Sequence, residues 1–324
     1  MTYYLGIDTS AYTTSLALVD ETGQIFSDER LILQVDQGKR GLRQSDALFL
    51  HIKNLPDLVE RLELDVFRRI QGIAVSAWPR PVEGSYMPVF LAGVAAARTL
   101  AVTLGVPLFQ VSHQEGHVRV GMAGNPDLKL ENGLLAVHFS GGTSEILKVR
   151  PGKERCYDIE MTMAGSDIHA GQLVDRVGVA LGLPFPAGRE MEKLALQSDG
   201  ERTVHLPASV GEQGFSFSGV ETRAMQYIRE GIPPSDIALA TLRVIANTLE
   251  KALLRECQRY DIGQVLLVGG VMANSIIKKR LRSRLEHQAV GIKLFFAEPT
   301  LSSDNAVGVA LLASDLERQK DCWG

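Results

Sequence analysis

His113-Gln114-Glu115-Gly116-His117 sets two imidazoles four residues apart. On a helix they share one face and can hold one metal through neutral ring nitrogens. Asp304 would complete a His-His-Asp set that leaves a coordination position open, the arrangement a catalytic metal needs. The plainer readings are two surface histidines and a carboxylate favoured by the dipole at a helix start. The spacing differs from the H-E-x-x-H of zinc proteases. Glu115 lies two residues after His113, points elsewhere on the helix, and argues against a metalloprotease.

Two turns have the makings of a phosphate grip. Asp8-Thr9-Ser10 and Ser140-Gly141-Gly142-Thr143 combine hydroxyls, close backbone approach and successive N–H donors. Asp8 would hold a Mg²⁺ ion or a water beside those phosphates. Gly269-Gly270-Val271-Met272-Ala273-Asn274 is a third glycine turn opening a helix, suited to an anion or to the edge of a nucleotide. Asp175, in a helix after Gly171, would take a ribose hydroxyl pair. The rigid loop from Gly182 to Gly188, with Pro184 and Pro186, would form a pocket wall. Each turn alone has an ordinary structural reading as a hairpin or a βα connection. Lys278, Lys279, Arg280, Arg282 and Arg284 form a basic run whose plain reading is a solvated helix face and whose other reading is an RNA-backbone contact.

These residues need elements to position them. Tyr3 to Asp8 reads as a buried strand ending on an acid, Ser15 to Asp20 as its return, and Gln24 to Leu33 as a third strand. A helix is expected from Gln44 to Leu62, a strand over Gly72 to Ser76, and a helix from Val89 to Leu104. The run Pro107 to Val111 is a strand leading to Ser112, a good N-cap that would put both histidines in the first turns of a helix. Then the pattern restarts. Gly133 to Phe139, the Ser140 turn and Glu145 to Val149 repeat the strand-turn-strand unit of Leu5 to Val19. Helices are expected at Asp167–Leu181, Arg189–Leu196, Gly219–Glu230, Ser235–Tyr260, Met272–His287 and Asp304–Arg318, with strands at Gln264–Val268 and Lys293–Phe296. The polar stretch Ala123 to Asn132 is the expected lobe boundary.

Bulk properties bound the rest. The chain has 324 residues, long enough for two lobes, and a net charge of −4, which supplies no overall pull toward nucleic acid or anionic membrane. Three cysteines without metal-ligand spacing fit a reducing cytosol. No apolar stretch is long enough to span a bilayer. The expected location is the cytoplasm.

The ordered motifs resemble one family. Gly6-Ile7-Asp8-Thr9-Ser10, His113 to His117, Ser140-Gly141-Gly142, Gly171 to Asp175 with Leu181 to Gly188, Phe215 to Gly219, Gly269 to Asn274 and Ser303-Asp304-Asn305-Ala306 occur in the order of the TsaD (YgjD, Gcp) family, once labelled O-sialoglycoprotein endopeptidase. The resemblance covers nearly the whole chain. It implies an α/β fold of the actin/sugar-kinase/Hsp70 type, with a duplicated mixed sheet flanked by helices. Lobe I would span 1–122, joined by the final helix 304–319, and lobe II 123–324. It further implies transfer of a threonylcarbamoyl group from its AMP adduct to N6 of the adenosine 3′ of the tRNA anticodon.

By motif, His113, His117 and Asp304 would hold one divalent metal, iron or zinc, with Asp8, His113 and His117 as the catalytic set. Thr9, Ser10, His138, Phe139, Ser140, Gly141, Gly142, Thr143, Asp175, Gly188, Gly270 and Asn274 would bind the adenylate or Mg-ATP. The partners implied are tRNA and TsaB-like and TsaE-like proteins, with no membrane. Four departures stand out. The family has Glu at Asp8, His at Thr143, Glu at Gln172, and a Gly-Pro-Gly segment where this chain has Trp78-Pro79-Arg80-Pro81-Val82-Glu83-Gly84. They suit a diverged paralogue that uses another acceptor or only binds.

Overall fold

The computed structural model describes residues 1–10, 12–34, 42–152, 155–200, 204–212, 214–301 and 304–323. Ala11 of the first turn and Ser302 and Ser303 before Asp304 lie outside them. In chain order the elements are β1 (Tyr3–Asp8), β2 (Thr13–Asp20), β3 (Ile25–Ile32), α1 (Gln44–Glu60), α2 (Leu64–Phe67), β4 (Ile70–Trp78), α3 (Phe90–Leu104), β5 (Leu108–Ser112), α4 (His113–Ala123), β6 (Leu134–Phe139) and β7 (Ser144–Pro151). They continue with β8 (Tyr157–Gly165), α5 (Ala170–Ala180), α6 (Gly188–Ala195), β9 (Ser209–Val210), β10 (Gly214–Ser216), α7 (Ser218–Arg229), α8 (Pro234–Tyr260), β11 (Gln264–Val268), α9 (Ser275–Leu285), β12 (Lys293–Phe296) and α10 (Val307–Trp323). The chain forms two compact units: residues 1–124, 152–158 and 303–324, and residues 125–151 and 159–302.

The first unit is built on a sheet of order β3-β2-β1-β4-β5. β1 runs antiparallel to β2 and parallel to β4, because a short turn can only reverse the chain while a helical crossover restores its direction. β1 is buried along its whole length. Its alternate side chains serve opposite faces. Leu5 and Ile7 join Leu55 and Leu58 of α1 and Ala97 of α3 in one core. Gly6 points the other way, where a Cβ would stand 2.4 Å from both the Ala306 carbonyl oxygen and the Ala310 nitrogen. Only glycine lets α10 lie that close.

The second unit has a sheet of order β12-β11-β6-β7-β8-β10-β9. β6 and β7 are antiparallel, as β1 and β2 are, so both strand-turn-strand units are present. The core joins β6 and β11 to the buried face of α8, with Phe139, Phe215 and Phe217 forming an aromatic cluster (centroids 5.3, 5.7 and 6.3 Å apart).

Four features differ from the sequence expectation. β8, β9, β10 and the short helix α2 occupy stretches given no element. The helix expected from Asp167 begins at Ala170, because Asp167 accepts the Phe217 and Ser218 N–H groups instead. The helix expected from Met272 is split: residues 270–273 form a 3₁₀ turn and Asn274 starts α9 afresh, its Oδ1 accepting from Ile276 and Ile277 N–H. The last helix starts at Val307 rather than Asp304, with Asn305 Oδ1 accepting the Val307 N–H at 3.0 Å. Among the described residues no helix is long and apolar enough to cross a membrane.

Cys156 and Cys257 are buried, one in each unit, and burial pushes both thiols up to about 12. The reactive thiolate is then about one molecule in ten thousand at pH 8, against roughly a quarter for a free cysteine. Iodoacetamide treatment followed by peptide mass spectrometry is expected to leave both unlabelled until denaturant is added. Labelling of the native protein at the rate of a free peptide would contradict their burial.

Candidate metal centre

Ser112 closes β5 and caps α4. Its Oγ accepts the Glu115 N–H at 3.1 Å, and Glu115 Oε2 accepts the Ser112 N–H at 2.7 Å. This reciprocal capping box begins the helix at His113 and uses up the Glu115 carboxylate. Glu115 is therefore a cap, not a base facing a substrate. One turn on, His117 comes under His113, and their Nε2 atoms are 3.0 Å apart. Asp304 Oδ1 stands 3.5 Å from His113 Nε2 and 3.4 Å from His117 Nε2.

These separations can be tested against a metal. A tetrahedral ion with ligand bonds of about 2.0–2.1 Å sets its ligands roughly 3.3 Å apart. The observed 3.0, 3.4 and 3.5 Å fit that edge. Among the described residues it is the sole group of three or more His, Cys, Asp or Glu side chains so placed. Three donors leave a fourth position free.

Behind the histidines lies Asp8, fully buried. Its Oδ1 accepts the Ser10 N–H at 2.9 Å, and its Oδ2 faces Ser76 Oγ at 2.5 Å and His113 Nδ1 at 2.8 Å. A carboxylate on Nδ1 holds the proton there and turns the Nε2 lone pair toward His117 and Asp304. Burial works against charge at every one of these groups. At His113 the carboxylates of Asp8 and Asp304 outweigh it and raise the imidazole to about 10. Asp8 is brought below its ordinary range by His113 and the Ser10 and Ser76 hydrogen bonds, despite its burial. The two histidines likewise hold Asp304 well below the usual carboxylate range against burial. At His117, burial and the neighbouring His113 charge lower the imidazole.

The distance of Asp304 from the histidines is fixed by helix packing within the first unit. α10 crosses α4 so closely that a Cβ on Gly308 would fall 1.9 Å from the Gly116 carbonyl oxygen. One turn farther along α4, Arg119 grips Asp315 of α10 with two hydrogen bonds, at 2.5 and 3.3 Å. Gly308→Ala is expected to push the helices apart, cost about 1–3 kcal/mol of stability, and carry Asp304 away from the histidines. Zn²⁺ titration calorimetry should then show weakened binding. Gly178→Ala, whose Cβ would meet Ala187 Cβ at 2.4 Å in the second unit, should destabilise without touching Zn²⁺ affinity. Equal metal binding by the two variants would refute the positioning.

The remaining candidates divide. In the first turn, Thr9 Oγ1 donates to Val89 O at 3.0 Å and accepts the Gly93 N–H at 3.2 Å, tying the turn to α3. Ser10 is buried, and its hydroxyl has no hydrogen-bond partner among the described residues. In the second unit, Ser140 N–H donates to Thr143 O at 2.8 Å and closes the glycine turn. Gly141 and Gly142 are exposed, with open space where a Cβ would be. Gly171 of α5 packs against that turn, donating its N–H to Ser140 O at 3.1 Å. His138 is buried at the end of β6, whereas the Phe139 side chain belongs to the aromatic core and presents only backbone. Asp175 accepts the Ala187 N–H at 2.7 Å, and burial raises its carboxyl. Gly188 and Gly270 are exposed. Asn274 is already committed: Oδ1 caps α9 and Nδ2 donates to Glu192 at 3.0 Å. Of the basic run, Lys278 and Arg282 lie over the Phe296 ring, Arg280 bonds Asn247, and Arg284 bonds Glu250.

A family model described as "TsaD: tRNA N6-adenosine threonylcarbamoyltransferase" matches residues 36–311. The chain belongs to the TsaD family. Similar proteins bearing the name tRNA N6-adenosine threonylcarbamoyltransferase come from Thermosipho africanus (30% identity, 97% of this chain and 94% of that one), Symbiobacterium thermophilum (30%, 94% and 89%) and Listeria welshimeri (29%, 95% and 90%). These TsaD relatives are transferases by name. Among solved structures, T. kodakarensis HypF superposes with TM-score 0.62 at 17% identity over 98% of this chain and 48% of that one. Acidaminococcus fermentans (R)-2-hydroxyglutaryl-CoA dehydratase component A gives 0.59 at 14%, over 98% and 100%. A ROK family glucokinase from Streptomyces griseus gives 0.55 at 13%, over 97% and 99%. At such identities the likeness concerns the fold, which is of the actin/sugar-kinase/Hsp70 type.

Two residues of this TsaD-family chain, Ser76 and Glu192, escape a reading by motif, and Gln172, one of the four departures, has a structural part. Ser76, which holds Asp8, is a lone hydroxyl in an apolar strand, and that oddity is its only signal. Gln172 accepts the His169 N–H at 3.1 Å as the capping residue of α5. Glu192 binds Asn274 and Ser275 from a different helix, with nothing in the sequence to link them.

Proposed function

We propose that this protein is a metal-dependent tRNA threonylcarbamoyltransferase, moving the threonylcarbamoyl group of an adenylate to N6 of the adenosine 3′ of the anticodon. One observation carries the reading. In a TsaD-family chain, three ligand atoms stand at tetrahedral spacing with an open position, backed by a buried carboxylate. His113, His117 and Asp304 would hold zinc or iron, whose ligand sets they match. Such an ion would act as a Lewis acid on the carbamoyl carbonyl. Asp8 keeps the His113 proton on Nδ1, and Ser10 and Ser76 keep Asp8 in place. Within the second unit, the open backbone of Ser140-Gly141-Gly142 would receive phosphate oxygens, and Asp175 a ribose hydroxyl pair. TsaB-like and TsaE-like proteins would be its partners.

The test is mass spectrometry of tRNA nucleosides from TsaD-depleted cells expressing this chain or its His113→Ala variant. Restored threonylcarbamoyladenosine that vanishes in the variant is expected. A second reading, a diverged paralogue serving another acceptor, draws on Thr143 and on the Trp78–Gly84 segment. It would prevail if the folded, metal-loaded protein restored nothing.

A further inference from the structure

We infer that Trp78, Tyr86 and Arg155 form a stacking surface for an unpaired RNA base beside the metal centre. The inference rests on the tRNA reading above and names where the acceptor loop would lie. Trp78 ends β4 and is the register partner of Ser112, the residue before His113. Pro79 O accepts the Gln114 N–H at 3.1 Å, so the segment is fastened to the first turn of α4. Arg80 N–H donates to Ser85 Oγ at 3.0 Å and Ser85 N–H to Val82 O at 3.2 Å, closing a tight loop. That closure brings Ser85 back to the backbone of Arg80, and the next residue, Tyr86, stands 63% exposed.

A second strand of chain joins this surface. Residues 152–158 belong to the first unit, and the exposed Arg155 places its guanidinium 5.9 Å from the Trp78 ring centroid. Arg155 has no carboxylate partner among the described residues. A half-buried tryptophan under an arginine that has no carboxylate partner among the described residues, with an exposed tyrosine on the loop that follows, is an unusual set to find next to a cluster of two histidines and an aspartate. Unpaired bases supply what such groups recognise: every base has a π-face, aromatic rings and guanidinium planes stack on it, and arginine also meets the backbone charge. The net charge of −4 gives RNA no general attraction, so contact must come from local features of this kind. A paired duplex hides its base faces and would gain little here.

The test is fluorescence anisotropy with the full chain. Its probes are a short RNA hairpin whose unpaired loop carries adenosine, and a blunt duplex of matched length. The wild type is expected to prefer the hairpin. Trp78→Ala, Tyr86→Ala and Arg155→Ala should each weaken hairpin binding about ten- to a hundredfold, Trp78→Phe should keep most of it, and Zn²⁺ affinity should stay unchanged throughout. Equal binding of hairpin and duplex, or variants that bind the hairpin as the wild type does, would overturn the inference, whether or not threonylcarbamoyladenosine forms. Hairpin binding lost in the three variants would uphold it even if no modified nucleoside appears, and the failure would then lie with the proposed function.

Discussion

Asp304→Ala is expected to lower zinc affinity by more than about 100-fold and to abolish tRNA modification. Outer partners of metal ligands are worth about 10–100-fold, and Asp304 would be a direct ligand, its Oδ1 within 3.5 Å of both His113 and His117 Nε2. Without it two histidines remain, and the anionic donor that offsets the ion's charge is gone. The helix that follows should survive, because α10 is started by Asn305 and not by Asp304. Competition against a chromophoric chelator gives the affinity, and circular dichroism checks that the fold is intact. Wild-type affinity in the variant would show that the cluster is an ion pair and not a metal site.

Asp8→Asn should cost about 10–100-fold in zinc affinity with little change in fold. The substitution keeps the shape, but an amide has one accepting and one donating end. Asp8 accepts on both oxygens: Ser10 N–H on one, Ser76 and His113 Nδ1 on the other. An asparagine can satisfy one side only. If its oxygen stays with Ser10, its NH₂ faces His113, drives the imidazole proton to Nε2 and blocks the lone pair that would meet the metal. If it flips, the Ser10 turn loses its acceptor. Zinc affinity equal to that of the wild type would mean that His113 needs no such orientation. His117→Ala gives the reference for losing a direct ligand, and Asp8→Asn should fall between it and the wild type.

What the sequence revealed about this site follows from the range of each interaction. Ser112, Glu115, His113 and His117 are one local unit, and a cap with i,i+4 spacing can be read from adjacent residues. The two hydroxyl turns were likewise legible, since strand, turn and return strand lie together in the chain. The partnership of Asp8 with His113 was not, because it spans 105 residues and β1 and β5 meet only through β4. Hence Asp8, read as facing phosphates, faces a histidine. Asn274 shows a different limit: an amide at a helix start has the same sequence signature whether it caps, binds a ligand or holds another side chain. β9 and β10, with two and three residues, are too short for any periodicity. β8 was readable from Tyr157-Asp158-Ile159-Glu160, where apolar and polar residues alternate.

The first unit is assembled from the beginning of the chain, a short loop from its middle and its last helix. During synthesis β1 emerges long before α10, whose Ala306 and Ala310 region covers the Gly6 face in the folded chain. The second unit is synthesised almost whole in the interval. A chain stopped between His117 and Asp304 therefore carries both histidines and Asp8 but not the third member of the cluster, and leaves uncovered the face of β1 where α10 belongs. The three-residue cluster is thus completed late in synthesis, only once Asp304 has been added.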